Sequence, residues 1–480
     1  MNKVLVFVSL LLFLTACKQR VEISMQFKNT GDDRVLILRP LNQQILGITD
    51  TLVRVKSDTV YRIAFEVARI SPFCIVAGEN LIDLVVQPGD RIQLACDMKD
   101  RSGTVGVKGS NAEGQMLYNR LNLKKYQDNL KWMKSHVDVV PDGCPEKMEQ
   151  HYREIQKKEI VVFDSLLQAN KIDRAFRDYV EKDITLYYSM TLSQIARLGC
   201  QSEYKKEYEK FWIDLYKTYP LDEDILGCRW LNDYAKLYVT EYLPCVNCLP
   251  EPRISTERER YFYRYNVYVQ NITDLKVLEA VLASEIYSQA INNVFASPDV
   301  LDLIESYNQL FPDHPYRKCF APFIEALHRY QEKISGDFSP GVRFVKNYQD
   351  IKTLDELLLN FRGKPVFIDF WFFMCLSCRD QFRYNKPLHE FLRKNGIEML
   401  YVSVDQDEFD GKWKECIKFF DLEGWQVRTS RLLHTNLAGQ YGIYFYPTYM
   451  LVDKEGNIVL PKAKEPSSGE ALYRQILEAL

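Results

Sequence analysis

The alternation of apolar and polar positions changes twice along this 480-residue chain. From residue 18 to 109, apolar residues form short runs, and positions 61–67 alternate with period two, which predicts strands. From 110 to 335 they recur every three or four positions between charges, which predicts helices. From 338 to 480, short apolar runs alternate with helical segments, which predicts an α/β sheet. The chain is therefore predicted to be multidomain.

The first of these regions predicts a β-sandwich-like domain at residues 18–109. Its short strands lie at regular spacing, and Gln87-Pro88-Gly89-Asp90 is a turn signal between two of them. No carboxylate pair, histidine or glycine loop there carries chemistry. A scaffold or docking role is therefore the default expectation.

The middle region, residues 110–335, predicts a central all-α helical domain. Ser110-Asn111 is typical of a helix N-cap, and helices are predicted at 145–170, 172–198, 203–219, 256–270 and 274–293. Residues 333–347, with their glycines and a proline, are predicted to be a linker.

The last region is organised around one apolar run, residues 366–373, which is typical of a central strand buried on both faces. Asp369 interrupts it with a carboxylate. Further strands are predicted at 398–404, 449–453 and 457–460. Helices are predicted at 354–361, 378–394, 409–420, 436–441 and 469–480.

Cys375 and Cys378 follow the apolar run and open a helical stretch. Unpaired N–H groups at a helix start stabilise a thiolate, and a second thiol one turn later lies close enough to attack a mixed disulfide. Half of a zinc site is one alternative, but no second pair follows at zinc-ribbon spacing, and no metal site is predicted. Buried packing is another alternative. The strand-to-helix context favours redox chemistry.

A second Cys-x-x-Cys, Cys245 and Cys248, stands between Pro244 and Pro250. No strand precedes it, and no helix start lowers its thiol pKa. A local disulfide or an ordinary loop is the favoured interpretation. A redox relay and a metal site remain alternatives.

The first 17 residues combine a charged start, an apolar run at 4–14 and Leu14-Thr15-Ala16-Cys17. This resembles a bacterial lipoprotein signal, whose lipidated cysteine would be Cys17. An ordinary cleaved signal or a short anchor is the alternative. Export places the twelve cysteines in an oxidising space. A periplasm-facing lipid anchor is expected, and Lys18 favours the outer over the inner membrane.

The C-terminal motifs resemble those of a known fold. Asp369-Phe370-Trp371, the Cys375/Cys378 pair and Tyr446-Pro447-Thr448 are similar to a thioredoxin-like fold. The insert at 411–420, the segment 441–459 and the lipoprotein-like start narrow the resemblance to TlpA/ResA-like thiol-disulfide oxidoreductases of the bacterial envelope.

The resemblance implies a role for each matching residue. Cys375 would be the exposed attacking thiolate, with a pKa in the range of roughly 3.5–7.5, and Cys378 the buried resolving thiol. Asp369 would take the proton of the second cysteine; a polar residue hydrogen-bonded to backbone is the alternative for it. Pro447 would be a cis-proline. Substrate-binding positions would be Trp371, Tyr446, Pro447 and Thr448.

Several positions depart from the family pattern. Met374 stands where tryptophan is usual, Ser377 where proline is common, and Gln381 where many relatives carry a glutamate. Arg383 replaces a frequent proline. The redox potential of relatives therefore does not transfer to this chain.

These observations predict an extracytoplasmic disulfide reductase or isomerase that acts on protein dithiols and disulfides and uses no cofactor. The resemblance implies a membrane electron donor of the envelope thioredoxin type. The net charge of −3 argues against nucleic acid as a partner. The alternative is an envelope binding lipoprotein whose thioredoxin-like domain is a docking platform with weak or no redox activity.

Overall fold

The computed structural model describes residues 19–30, 34–47, 50–52, 55–78, 80–100, 105–134, 143–247, 256–292 and 299–480. The chain divides into two compact units, residues 1–323 and 324–480. The division of the first unit into a β-rich and a helical domain stays a prediction. The second unit begins within a helix, before the predicted boundary at 338.

The β-rich part of the first unit contains two four-stranded sheets, with the orders β4-β1-β7-β8 and β3-β2-β5-β6. Buried side chains from both sheets form one apolar core that includes Val21, Ile37 and Phe73. The sandwich arrangement itself stays a prediction. The strands are β1 (Gln19–Lys28), β2 (Val35–Leu38), β3 (Asp50–Leu52), β4 (Val60–Val67), β5 (Ser71–Ala77), β6 (Asn80–Val86), β7 (Arg91–Asp97) and β8 (Val105–Gly109).

Helices follow these strands in the described residues of the first unit. They are α1 (Ala112–Lys134), α2 (Pro145–Gln168), α3 (Arg174–Gly199), α4 (Lys205–Thr218), α5 (Leu231–Leu237), α6 (Leu243–Val246), α7 (Glu257–Asn271), α8 (Leu275–Asn292) and α9 (Asp299–Leu310). A π-helical turn, Tyr238–Tyr242, joins α5 to α6, and a 3-10 turn lies at Glu223–Ile225. Helix α10 (Arg317–Ser335) spans the boundary between the units.

The second unit contains a six-stranded sheet with the order β14-β13-β10-β11-β12-β9. Its strands are β9 (Val342–Phe344), β10 (Val366–Trp371), β11 (Glu398–Ser403), β12 (Gly424–Arg428), β13 (Thr448–Val452) and β14 (Ile458–Leu460). Its helices are α11 (Leu354–Leu358), α12 (Leu376–Phe382), α13 (Asn385–Lys394), α14 (Asp410–Phe419), α15 (Arg431–Tyr441) and α16 (Glu470–Ala479). 3-10 turns lie at Tyr348–Asp350, Leu359–Phe361, Asp407–Phe409 and Pro466–Ser468.

Strand β10 is the central strand, because it pairs in parallel with β11 and antiparallel with β13. All six of its residues are buried. Val366, Ile368 and Phe370 belong to a core that includes residues of α11 and α15. Trp371 points to the other face, where its ring contacts Phe382 of α12 at 5.3 Å. The apolar run predicted this burial correctly.

Three features of the second unit differ from the predictions. Strand β12 was not predicted, and β9 lies inside the segment predicted to be a linker, where it pairs in parallel with β12. The helix predicted at 378–394 is two helices, which end and begin on either side of Arg383 and Tyr384. The other predicted helices and strands of this unit are present.

Glu398, at the start of β11, ties the edge strand β9 to the sheet. Its carboxylate accepts hydrogen bonds from Lys364 Nζ and Arg343 Nη2, each at 2.7 Å, and from Trp425 Nε1 at 3.1 Å. Arg343 also stacks on the ring of Trp425 at 4.4 Å. Burial alone would raise the pKa of Glu398, but these donors hold it below its ordinary value.

None of the helices in the described ranges has the length and apolar content that a membrane span requires. Among the same residues, no group of three or more histidine, cysteine or carboxylate side chains is placed to hold a metal ion.

We expect Glu398→Gln to lower the free energy of unfolding by about 1.5–3 kcal/mol at pH 7, since charge-assisted hydrogen bonds are lost. A lowered carboxyl pKa stabilises the fold above the unfolded pKa, and this contribution disappears as pH falls through the folded pKa. The difference between the variant and the parent should therefore begin to shrink below about pH 4 and become smaller as pH falls further. Urea unfolding of the chain from Lys18, followed by circular dichroism at several pH values, measures this.

Glu408→Gln is the matched control, since Glu408 is exposed. It should change the unfolding free energy by less than about 0.5 kcal/mol. A difference between Glu398→Gln and the parent that persists unchanged at pH 3 would contradict the assignment to the carboxylate.

Candidate active site

The two cysteines lie where β10 gives way to α12. Cys375 is the N-cap residue of α12, and its Sγ accepts a hydrogen bond from the N–H of Cys378 at 3.1 Å. The two cysteines form a disulfide with a Cα–Cα separation of 5.3 Å. Cys375 is 5% exposed and Cys378 is fully buried. Cys378 is buried as predicted, whereas Cys375 is not exposed as expected, although it lies nearer to solvent than Cys378.

The loop before β13 lies beside this disulfide. The Tyr446–Pro447 peptide bond is cis, as the resemblance implied. The Ser377 hydroxyl, between the cysteines, donates to the carbonyl oxygen of Tyr446 at 3.3 Å. The Thr448 hydroxyl turns inward and donates to the carbonyl of Phe445 at 2.6 Å. The structure thus brings together Cys375, Cys378, Tyr446, Pro447 and Thr448.

Trp371 does not join this surface. Its side chain is fully buried, and its Nε1 has no hydrogen-bond partner. Because its side chain is not exposed, the structure does not support the substrate-binding role predicted for Trp371. Its contact with Phe382 is a packing contact between β10 and α12.

Large apolar side chains are exposed around the disulfide. Met374 and Leu376, on either side of Cys375, are 64% and 60% exposed. Tyr444 and Phe445, just before the cis-proline, are 62% and 82% exposed. Contiguous exposed apolar side chains are typical of interaction surfaces. Met374 departs from the family pattern, but the sequence did not predict this group of exposed side chains.

Asp369 lies in the buried interior of the sheet. It is fully buried, and neither carboxylate oxygen has a hydrogen-bond partner. In the ladder it lies opposite Tyr401 of β11 and Tyr449 of β13. Burial raises the pKa of Asp369 well above its ordinary value. The alternative of a backbone-bonded polar residue finds no support in these contacts.

Tyr401 is held in place beside Asp369 by two residues of α13. Its hydroxyl is 2.9 Å from Asn385 Nδ2 and 2.7 Å from His389 Nε2. Burial, together with Arg393, lowers the pKa of His389 to about 4. The ring of His389 is therefore neutral at neutral pH. Nothing in the local sequence indicated this group, because its members come from separate elements.

Gln381 uses both ends of its amide. Its Nε2 donates to Glu465 Oε2 at 3.0 Å, and its Oε1 accepts from the N–H of Ser467 at 2.9 Å. These bonds join α12 to the segment before α16. The departure noted at this position is thus accommodated by matching contacts elsewhere in the second unit.

The remaining candidate cysteines lie either in the first unit or outside the residues that the structure describes. Cys17 and Cys248 are outside the described residues. Cys245 was predicted to lie in a loop, but it lies in helix α6 of the first unit. Its Sγ is 3.9 Å from Glu209 Oε1, and its thiol also interacts with that of Cys200. The local disulfide with Cys248 stays a prediction.

Comparison with known proteins supports the assignment of the second unit. The redoxin family matches residues 335–477. Thiol-disulfide oxidoreductase ResA of Bacillus thuringiensis is 29% identical over 123 residues, which cover 26% of this chain and 65% of the relative. ResA of Halalkalibacterium halodurans is 26% identical over 139 residues, covering 29% of this chain and 74% of the relative.

Two solved structures are similar to the same region. The thioredoxin domain of a Bacteroides vulgatus thiol-disulfide oxidoreductase is 31% identical, covers 25% of this chain and 82% of that one, and has a TM-score of 0.23. A Bacteroides fragilis thiol-disulfide oxidoreductase is 30% identical, covers 25% and 84%, and has a TM-score of 0.22.

The sheet and the disulfide at the start of α12 define the class of the second unit, a thioredoxin-fold domain. Within that class the matched region is similar to the TlpA/ResA-like thiol-disulfide oxidoreductases. The chain spans about two thirds or less of the length of the ResA relatives first matched, and these cover about a quarter of the chain.

We expect Asp369→Asn to stabilise the protein at pH 8 by at least about 1.4 kcal/mol, the worth of one unit of pKa shift, because a neutral amide needs no proton in this buried site. A raised carboxyl pKa in the folded state penalises folding increasingly as pH rises above the unfolded pKa. The gain should therefore shrink as pH falls and vanish near pH 3. Urea unfolding between pH 3 and 8 measures it.

The exposed Asp350 provides the control, because Asp350→Asn changes the same charge in solvent. Its unfolding curve should stay within about 0.5 kcal/mol of the parent. An Asp369→Asn protein that is less stable than the parent at pH 8 would rule out this account of the carboxylate.

Proposed function

We propose that this protein is a thiol-disulfide oxidoreductase that works through Cys375 and Cys378. The observation that carries the proposal is their disulfide at the start of α12, with the nearly buried Cys375 next to solvent and Cys378 behind it. The helix start and the Cys378 N–H both stabilise negative charge on the Cys375 sulfur. This is the arrangement that a nucleophilic thiolate needs.

In the reductase direction, the Cys375 thiolate attacks one sulfur of a substrate disulfide. A mixed disulfide forms, and the other substrate sulfur leaves as a thiolate. The Cys378 thiolate then attacks Cys375 Sγ, so that the second substrate sulfur leaves and the Cys375–Cys378 disulfide forms. Two electrons pass to the substrate. A dithiol donor restores the reduced pair by the reverse exchange.

Asp369 is proposed to accept the proton of Cys378 before the second attack. A carboxylate suits this role when its pKa lies well above the ordinary value, since it then binds a proton near neutral pH. Its burial on β10, without any hydrogen bond, supports this proposal. We expect Asp369→Asn to slow the resolving step by about 100-fold.

The proposed substrates are disulfides and dithiols of other polypeptides. The exposed apolar side chains of Met374, Leu376 and Phe445 support this class, because a small polar disulfide has nothing to place against them. Tyr446, Pro447 and Thr448 are proposed to lie alongside the bound substrate chain.

The proposed location is the cell envelope. The start of the chain supports a lipid anchor on Cys17, facing the periplasm, with the outer membrane favoured over the inner. A membrane electron donor of the envelope thioredoxin type would then keep the pair reduced. The reductase or isomerase direction is part of this proposal.

Thiol trapping with mass spectrometry, across buffers of graded redox potential, tests the proposed chemistry. The pair should cycle reversibly. Cys375→Ser should abolish turnover of insulin disulfides, because the nucleophile is gone. Cys378→Ser should instead accumulate the mixed disulfide, because resolution fails.

Cys245→Ser is the control, since this thiol belongs to the first unit, and it should retain the turnover of the parent. A Cys375–Cys378 pair that stays in one state at every potential would overturn the proposal. The binding lipoprotein would then be the better account.

Lipidation is tested separately in cells. Cys17→Ala should abolish incorporation of a labelled fatty acid and release the protein from the membrane fraction. Cys144→Ala should leave both unchanged. A Cys17→Ala protein that keeps its label would place the lipid on another residue.

A further inference from the structure

The turn that leads from β10 to Cys375 is held by a carboxylate from the loop that follows β11. The N–H of Phe373 donates to both oxygens of Asp405, at 3.2 Å to Oδ1 and 3.1 Å to Oδ2. Two residues further on, the N–H of Cys375 donates to the carbonyl of Phe372 at 3.0 Å and closes the turn. Asp405 therefore holds the backbone that presents the reactive sulfur.

Asp405 is itself fixed by the end of β11. Ser403 pairs with Trp371 in the ladder, and the N–H of Val404 donates to the Trp371 carbonyl at 2.9 Å. The Ser403 hydroxyl donates to Asp405 Oδ2 at 2.7 Å. Asp405 is only 5% exposed and Ser403 is fully buried. The buried carboxylate of Asp405 thus accepts hydrogen bonds from both the Ser403 hydroxyl and the Phe373 N–H.

The charged and titratable groups near Asp405 come from β12, from α14 and from the 3-10 turn Asp407–Phe409. Arg428 of β12 faces it, and its guanidinium is already paired with Asp407 and Asp410. Cys416 of α14 also lies within electrostatic reach. Burial raises the pKa of Cys416 to about 12, so that its thiol is neutral. Arg428 is therefore the charged neighbour that acts directly on Asp405.

We propose that Asp405 is a positioning residue for the Cys375–Cys378 pair: its ionised carboxylate holds the Phe372–Cys375 turn through the Phe373 N–H, and protonation weakens that hold. The inference rests on the proposed function, because it concerns the reactivity of the same cysteine. It adds that the reactivity of Cys375 depends on pH through the ionisation of Asp405.

The titration of Asp405 falls in a useful range. Burial raises the pKa of Asp405 to about 6, against the opposing effects of Ser403, the Phe373 N–H and Arg428. A carboxylate accepts a hydrogen bond more strongly than a protonated carboxyl does. The turn is therefore held above about pH 6 and loosened below it. The Cys375 sulfur then loses part of its fixed alignment with the N–H of Cys378.

The test uses the reduced chain from Lys18 and measures alkylation of Cys375 by iodoacetamide between pH 4.5 and 9. Mass spectrometry follows the Cys375 peptide, and absorbance at 240 nm, relative to Cys375→Ser, gives the thiolate fraction. We expect the alkylation rate and the thiolate fraction to rise with pH by about two- to tenfold more than titration of one isolated thiol gives, through a step near pH 6, the worth of one hydrogen bond.

Two substitutions separate positioning from a general effect on the fold. Asp405→Asn keeps the shape but cannot ionise, and it should remove the step. Ser403→Ala leaves the Phe373 bond and removes a donor that favours the ionised carboxylate, so the midpoint should move to higher pH. If Asp405→Asn does not fold, the direction of the Ser403→Ala shift decides the question.

Asp407→Asn is the matched control. Its side chain is 93% exposed, and it lies two residues after Asp405 in the sequence. The step should remain, with its midpoint unchanged or lower, because Arg428 is left freer to favour the Asp405 anion. A step lost equally in both variants would show a charge effect without positioning, and would overturn the proposal.

A parent profile without a step, or an Asp405→Asn profile identical to the parent, would also overturn it. Because alkylation needs no substrate disulfide, this result is independent of turnover. A protein that shows the step but reduces no disulfide would instead contradict the proposed function.

Discussion

Strand β10 is hydrogen-bonded along both edges and buried on both faces, and the second unit is arranged around that constraint. A residue inside such a strand has no access to water, so each side chain must be matched by its neighbours. Five of the six side chains are apolar and meet that requirement by packing. Asp369 does not. The ladder places two tyrosines beside Asp369, so the surrounding sheet determines the free energy of protonating its carboxylate.

The same constraint explains what could be predicted from the sequence. An apolar run interrupted only by Asp369 predicts a central strand, and the cysteines and the cis-proline followed from the motifs that carry the resemblance. Strand β12 was missed because Gly424-Trp425-Gln426-Val427-Arg428 mixes polar and apolar residues. Strand β9 was missed because its three residues belong to a sheet only through pairing with β12. Both depend on partners that are distant in the sequence.

Contacts between distant residues also limited the prediction of the site. Asp405 acts on a backbone N–H that lies 32 residues earlier, and no local pattern marks such a pair. In the first unit, Asp183 of α3 occupies a position that helical spacing alone does not distinguish from a solvent-facing one. It is fully buried and accepts a hydrogen bond from the Tyr118 hydroxyl at 2.9 Å. Periodicity predicts helices well, but it does not identify a charged side chain that is buried.

The two-ended contact of Gln381 has a consequence for how this site can diverge. An amide can donate to Glu465 and accept from Ser467 at once, whereas a carboxylate at the same place can only accept. A glutamate at 381 would face Glu465 as a second negative charge. The two positions are therefore coupled through charge: an acid at 381 is compatible with this contact only where residue 465 no longer carries a negative charge.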